Sequence, residues 1–213
     1  MKNQLSQLAL VAFLSLSALS ANANSDPTQL GTTGIYYQFI NANLTWDQAN
    51  IAAQAMTFNG VAGQLAVIPN QTVNDFITNL AASNSTDSAV WLGASNVVVG
   101  QNENWTWSNG STISCQILGS CTGGYTNFNA GEPNNYYPIF APDSHTVYFN
   151  SETALELYSL GPDAGKWNDI GPSALAMSYV VQFPVPELNT NLMLLMGLGV
   201  FGFMARRHKN TQA

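Results

Sequence analysis

The segment Tyr125–Asn135 reads YTNFNAGEPNN, and two more tyrosines, Tyr136 and Tyr137, follow it. It is too polar and too rich in turn formers to be core. Glu132 and Asn134 flank a single proline, so a carboxylate and an amide carbonyl are held at a fixed angle, as two oxygen ligands would be. An ordinary turn with Asx caps is the other reading of these residues taken alone. A second acid–amide pair, Asn168-Asp169, comes after the chain returns in Trp167-Asn168-Asp169. A hard cation takes six to eight oxygens, more than Glu132 and Asn134 supply between them.

Working back from this segment, Tyr36, Tyr37 and Phe39 mark an aromatic strand. Thr45-Trp46-Asp47-Gln48 is a capping box with an acid in the first turn. The helix it opens is predicted to run to about Phe58 and stop at Asn59-Gly60, with Ala49, Ala52, Ala53 and Met56 on its apolar face. GQLAVIPN reads as a short strand. Asn70 then caps a second helix carrying Val73, Phe76, Ile77 and Leu80 at helical spacing. After about Ser88 the pattern changes to strands: AVWLGASN, then NWTWSNGS turning at Asn109-Gly110, and later HTVYFN and AMSYVVQF. Ser111–Tyr137 shows little periodicity, and a long irregular segment inside a domain is usually functional. Asn150–Gly165 fits a short helix or an insertion, with Glu152 and Glu156, four apart, as an exposed helix face. Helices first and strands after indicate α+β.

Both chain ends carry separate signals. Residues 1–23 read as a secretory signal peptide: Lys2, an apolar run Leu8–Leu19, and Ala21-Asn22-Ala23 as the cleavage site. At the other end, Leu192–Ala205 is apolar without a charge, and extending back to Leu188 gives eighteen residues, near the lower limit for a membrane-spanning helix. Arg206, Arg207, His208 and Lys209 follow at once and should stay cytoplasmic. Residues 184–213 resemble the PEP-CTERM sorting signal of Gram-negative bacteria. Val185-Pro186-Glu187 opens it, and Leu188 stands where that family has a second proline. The resemblance implies an exosortase partner, a transient inner-membrane anchor through 188–205, removal of the helix, and delivery to the cell surface or extracellular matrix. A plain C-terminal anchor is the alternative.

Between the ends, Lys166 faces all twelve acids, which leaves residues 24–187 near −11. No basic patch exists to replace counterions, which excludes nucleic-acid binding. Cys115 and Cys121 are the only cysteines, and in an exported chain an even pair this close reads as one disulfide. It would close a small loop, worth roughly 2–3 kcal/mol.

The order of motifs over Gly34–Phe183 resembles a C-type lectin-like domain, so residues 24–183 are expected to form one such unit. The carrying residues run in sequence as Thr45–Ala49, Gln64–Ile68, Trp91–Gly93, Trp105–Trp107, Gly131–Asn135, Trp167–Asp169 and Tyr179–Phe183. The resemblance implies two helices on small antiparallel sheets, a long ligand loop and a cis peptide before Pro133. It implies Ca²⁺ held by Glu132, Asn134, Asn168 and Asp169, with a later acid for which Asp143 is the nearest candidate. The same five residues would hold a sugar, and Glu-Pro-Asn goes with mannose- and glucose-type ligands. The family's disulfide between first helix and last strand is missing; Ala55 or Met56 and Val181 occupy about those places.

An enzyme is not expected: HExxH, GxSxG and Walker A motifs are absent, and ligands sharing calcium stay ionised, unlike a glycosidase acid. Trp91, Trp105 and Trp107 fit core packing better than a sugar platform. Two functions stay open at this point. One is a calcium-dependent lectin for a glycan or exopolysaccharide; the other is a lectin-like module that binds protein or serves a matrix.

Overall fold

The structure is a computed structural model, and it describes residues 24–99, 102–135, 138–140, 146–148 and 152–184. The signal peptide, Asp143, the sorting residues Val185, Pro186 and Glu187, and the apolar stretch 188–205 lie outside them. Among the described residues no helix is long and apolar enough to cross a membrane.

The strands and helices follow in the order β1 Thr28–Gln29, β2 Tyr36–Leu44, α1 Trp46–Ala55, β3 Thr57–Phe58, β4 Val61–Ala62, β5 Gln64–Leu65 and α2 Gln71–Asn84. Then come β6 Ala89–Val99, β7 Asn102–Trp107, β8 Thr112–Gln116, β9 Cys121–Thr122, β10 Pro138–Phe140 and β11 Thr146–Tyr148. The last are β12 Ala154–Tyr158, β13 Trp167–Ile170 and β14 Met177–Phe183. The helix starts are as the sequence predicts. Thr45 Oγ1 accepts from the Gln48 N–H, Gln48 Oε1 accepts from the Thr45 N–H, and Asn70 Oδ1 accepts from the Val73 N–H.

Among the described residues, β3-β4 and β10-β11 are small antiparallel sheets of two strands each, and the other ten strands join in one larger sheet. Its path is β1-β2-β14-β6-β7-β8-β9, with β5 on β14, β12 on β6, and β13 on β12. The pairings are antiparallel except β14 against β6, which run parallel at Tyr179 and Trp91. Side chains alternate across this sheet and build a core on each face. On one face α2 lays Val73, Ile77 and Ala81 against Tyr37, Phe39, Val90, Leu92, Trp105 and Trp167. On the other, α1 lays Ala49 and Ala53 against Ile40, Leu65, Trp91 and Val181, with Met56 packed alongside. Val181 and Met56 therefore fill with apolar contact the place where the family has a disulfide. The three tryptophans Trp91, Trp105 and Trp107 are core, at 0%, 0% and 4% exposure.

Three expectations need correction. The first helix ends at Ala55, because Thr57–Phe58 pairs with Val61–Ala62 across the Asn59-Gly60 turn. The segment after Ser111 is not irregular throughout: β8 and β9 form a hairpin in which Cys115 and Cys121 stand opposite and are disulfide-bonded. Residues 154–158 form a central strand, not a helix, and Glu152 and Glu156 are buried at 8% and 3% exposure.

Gly93 sits where β6 passes closest to β5. A Cβ there would lie 2.5 Å from the Leu65 carbonyl oxygen. That oxygen also accepts from Ser108 Oγ at 2.7 Å, so it cannot retreat cheaply. Gly93→Ala should cost about 1–3 kcal/mol, as overpacking does, and should lower the urea midpoint with an unchanged slope.

Candidate functional site

The site is assembled by β13 and the GEPNN loop. β13 pairs with β12 so that Asn168 faces Glu156 and Asp169 faces Leu155. Alternation then sends the two predicted ligands to opposite sides of the sheet. Asn168 Nδ2 donates to Glu156 Oε1 at 2.9 Å. Asp169, fully buried, accepts from the backbone N–H groups of Asn134 at 3.1 Å and Asn135 at 2.7 Å. The loop that presents Glu132 and Asn134 is thus tied to the strand that presents Asp169. The Glu132–Pro133 peptide is cis, and Asn135 adopts φ 50°, a left-handed conformation that asparagine tolerates.

Two more segments close on this loop. The Asn135 Oδ1 lies 3.5 Å from the Glu152 N–H, at the limit of a hydrogen bond. Asn96 Nδ2 donates to the Glu152 carbonyl at 2.9 Å. Glu103 is fully buried on β7, on the face that also carries Trp105 and Trp107, and its Oε2 accepts from Trp105 Nε1 at 3.0 Å. Glu103, Glu152 and Glu156 carry no role in the sequence reading, yet each is buried near the loop. Glu156 had a usable signal, since Leu155-Glu156-Leu157 alternates as a strand does.

These carboxylates are short of partners. Glu132 Oε2, Glu156 Oε2, Glu103 Oε1 and Asn96 Oδ1 are buried without a hydrogen-bond partner among the described residues. Burial, then the neighbouring Asp169 charge, pushes Glu132 up to about 8. Glu103 is likewise pushed up to about 8 by burial and by Asp169. Burial raises Glu156, against the Asn168 hydrogen bond. Burial also raises Asp169, opposed by the N–H groups of Asn135 and Asn134. The mutual hydrogen bond of Glu132 and Asp169 raises Glu132 and lowers Asp169, so Glu132 is the acid of the pair that favours the proton. Lys166, the one cation between the chain's end signals, points elsewhere: its Nζ donates to Asn127 Oδ1 at 2.9 Å.

The donor set fits a hard cation in its chemistry, being carboxylates and amide carbonyls with two orphaned carboxylate oxygens at Glu132 and Glu156. Among the described residues no three of His, Cys, Asp or Glu converge as a preformed metal cage. Of the four predicted ligands described, Asn168 is turned to Glu156 and Asp169 receives two backbone N–H donors.

Comparisons with known proteins agree with this architecture. Residues 184–208 match the PEP-CTERM protein-sorting motif. The chain is 30% identical over 105 residues to snaclec agglucetin subunit alpha-1 of Deinagkistrodon acutus, covering 49% of this chain and 66% of that one. It is 30% identical over 111 residues to Snaclec A6 of Macrovipera lebetinus, covering 50% of this chain and 69% of that one. Among solved structures, the C-type lectin CEL-I from Cucumaria echinata superposes with a TM-score of 0.51 at 19% identity, covering 73% of this chain and 97% of that one. The Ca²⁺-independent C-type lectin SPL-2 from Saxidomus purpuratus gives 0.51 at 13% identity, covering 76% and 93%.

The raised carboxyls make stability depend on pH in a definite sense. The unfolded chain releases these protons near the ordinary glutamate value of 4.5, whereas folded Glu132 and Glu103 hold theirs up to about 8. The folded state binds more protons across that window, so stability falls as pH rises through it. In chelator, the melting temperature should be higher at pH 5 than at pH 8.5. A melting temperature that rises over this range would mean the acids are not buried together.

Proposed function

The chain belongs to the C-type lectin-like family, and from that premise we propose that it is a calcium-dependent carbohydrate-binding module of the bacterial cell envelope, preferring mannose- and glucose-type sugars. One observation carries the reading: Glu132 of the GEPNN loop packs against Asp169 of β13, and among the described residues a Glu132 oxygen has no hydrogen-bond partner and neither acid meets a cationic side chain. Leaving a buried polar atom unmatched costs about 1–3 kcal/mol, more for a charged one, and a site for a positive ion removes that cost.

Glu132, Asn134, Asn168 and Asp169 are the proposed calcium ligands and the proposed sugar contacts. For the later acid, Asp143 lies outside the described residues. Glu152 is the better candidate, because its backbone already meets Asn135 and Asn96 beside the loop. Bound calcium would supply two coordination positions for neighbouring sugar hydroxyls. The protein would then match those hydroxyls, its carboxylates accepting and its Asn134 and Asn168 amides donating. The Glu-Pro-Asn order supports the mannose-type preference through the family resemblance.

A second reading is a lectin-like module that binds protein or serves a matrix, with any calcium merely structural. The backbone donors already seated on Asp169 favour it, as does the likeness to a lectin whose own description is Ca²⁺-independent. A glycan array run with calcium and then with chelator separates the two.

The sharpest test exchanges the roles of donor and acceptor. Glu132→Gln with Asn134→Asp keeps the oxygen count and total charge, so calcium affinity should change little. Mannose should compete worse and galactose better for an immobilised ligand, by tenfold or so at about 1.4 kcal/mol per mismatch. An unchanged preference would remove these two residues from sugar recognition.

The PEP-CTERM motif carries a separate expectation about location. We propose export, a transient anchor through residues 188–205, and exosortase processing onto the surface or into exopolysaccharide. Intact-mass analysis of the surface fraction should find residues 1–23 and 192–213 missing. A full-length C-terminus there would leave an ordinary anchor.

A further inference from the structure

On the α1 face of the sheet lies a groove of about 370 Å³, within the roughly 300–1,000 Å³ range of small-ligand sites. We propose that this groove binds a neutral oligosaccharide without a metal. The inference goes beyond the metal-site reading and does not depend on it.

The walls come from α1 on one side and the β6–β7 hairpin on the other. Asn50 and Gln54 are one turn apart on α1, and Ser95 and Thr106 stand directly opposite each other in the hairpin. Trp46 and Gln64 also line it. None of the lining side chains is charged, in a molecule whose formal charge is −7. The buried acids Asp169 and Glu103 lie on the opposite face, with Trp105 and Trp167.

The lining chemistry narrows the ligand. A cation would find no carboxylate here. An anion would find no positive group and an acidic protein around it. A purely apolar ligand would bury amides and hydroxyls without partners. A neutral polyol satisfies all three conditions. Gln54 Nε2 donates to Asn50 Oδ1 at 3.1 Å, which leaves the Asn50 amide as donor and Gln54 Oε1 as acceptor toward the groove. Hydroxyls both donate and accept, so they match such a pair and the Ser95 and Thr106 hydroxyls.

The frame is fixed before any ligand arrives. Trp46 Nε1 donates to the Leu92 carbonyl at 2.8 Å, which holds the half-buried indole as a wall on which a sugar ring can lie. The floor is backbone, because Gly63 and Gly93 let α1, β5 and β6 meet closely. A Cβ on Gly63 would sit 2.7 Å from the Ala53 carbonyl oxygen. Such preorganisation lowers the ordering cost of binding.

The test uses the full chain in a detergent without a sugar headgroup, with excess chelator. Maltotriose, mannotriose and cellotriose are the neutral probes, and trigalacturonate is the acidic one. Saturation-transfer NMR should detect at least one neutral trisaccharide and not the acidic one. Thr106→Arg fills the groove from an exposed strand position, and Asn50→Leu removes the amide; each should weaken binding at least tenfold while the circular dichroism stays that of the wild type. A photoaffinity derivative of the bound trisaccharide should label wild-type peptides within 46–54 or 95–108, a readout that needs no variant. Chelator-resistant binding that Thr106→Arg and Asn50→Leu both weaken reads this groove, whereas binding that only calcium restores reads the metal site. Transfer to none of the neutral probes, equal transfer to trigalacturonate, or labelling confined to other peptides overturns the proposal.

Discussion

The burial of Trp167 is the contact on which the ligand loops depend. Its ring is fully buried and meets Trp107, Tyr125 and Phe128 edge-on, each with centroids 5.6 Å apart. Its Nε1 donates to Asn74 Oδ1 at 2.8 Å, which ties the loops to α2. Its backbone N–H donates to the Asn127 carbonyl, and its own carbonyl accepts from the Asn129 N–H. Two residues on, Asp169 takes the N–H groups of Asn134 and Asn135. One strand of four residues therefore fastens a loop that pairs with the sheet at few other places. A large aromatic ring suits this task, since it offers apolar contact in several directions and one polar handle.

The same strand also sets the conflict at the site. Asp169 must be buried to hold the loop, and its charge then raises the cost of ionising Glu132 and Glu103 beside it. The sequence keeps its single cation between the end signals, Lys166, away from these groups. A fold selected for stability alone would place apolar residues there, because a buried charge without a partner is strongly unfavourable. Buried acids in this state are more often functional than structural, though ion networks also produce them. The α1 face shows the opposite composition: its groove has amides, hydroxyls and an indole but no charge.

What was legible in the sequence was what local chemistry determines. The Thr45–Gln48 capping box and the Asn70 cap are reciprocal contacts within four residues, so the letters alone locate both helix starts. Motif order located the lectin-like fold, and Cys115 and Cys121 located their own disulfide. The end of α1 is not legible locally, because the turn signal Asn59-Gly60 fits a helix stop as well as the hairpin of Thr57–Phe58 with Val61–Ala62 that forms there. Glu156 was taken for a surface residue because charge usually means exposure. Its burial comes from β6 and β13, its neighbours on either side of β12, which are far away in sequence. Glu103 does carry a local signal, since it alternates with Trp105 and Trp107 on the face those tryptophans turn inward.

The proposed ligands differ in how far they stand from holding a cation. Asp169 needs little change. A carboxylate has about four lone-pair positions, and two N–H donors leave room for a metal. Those donors also keep the loop in place, so the group that would bind the ion is the group that orders the site without it. Asn168 is different. Its amide donates to Glu156, and turning toward the GEPNN loop would break that contact. Glu156 already has one oxygen without a partner, and it would then have two. Ion binding at this site is therefore opposed by Glu156, in proportion to how strongly it stays ionised. Burial pushes Glu156 toward its neutral form, in which one oxygen becomes a donor and the loss of Asn168 costs less. The strand pairing that hides Glu156 thus also sets how readily Asn168 can leave it.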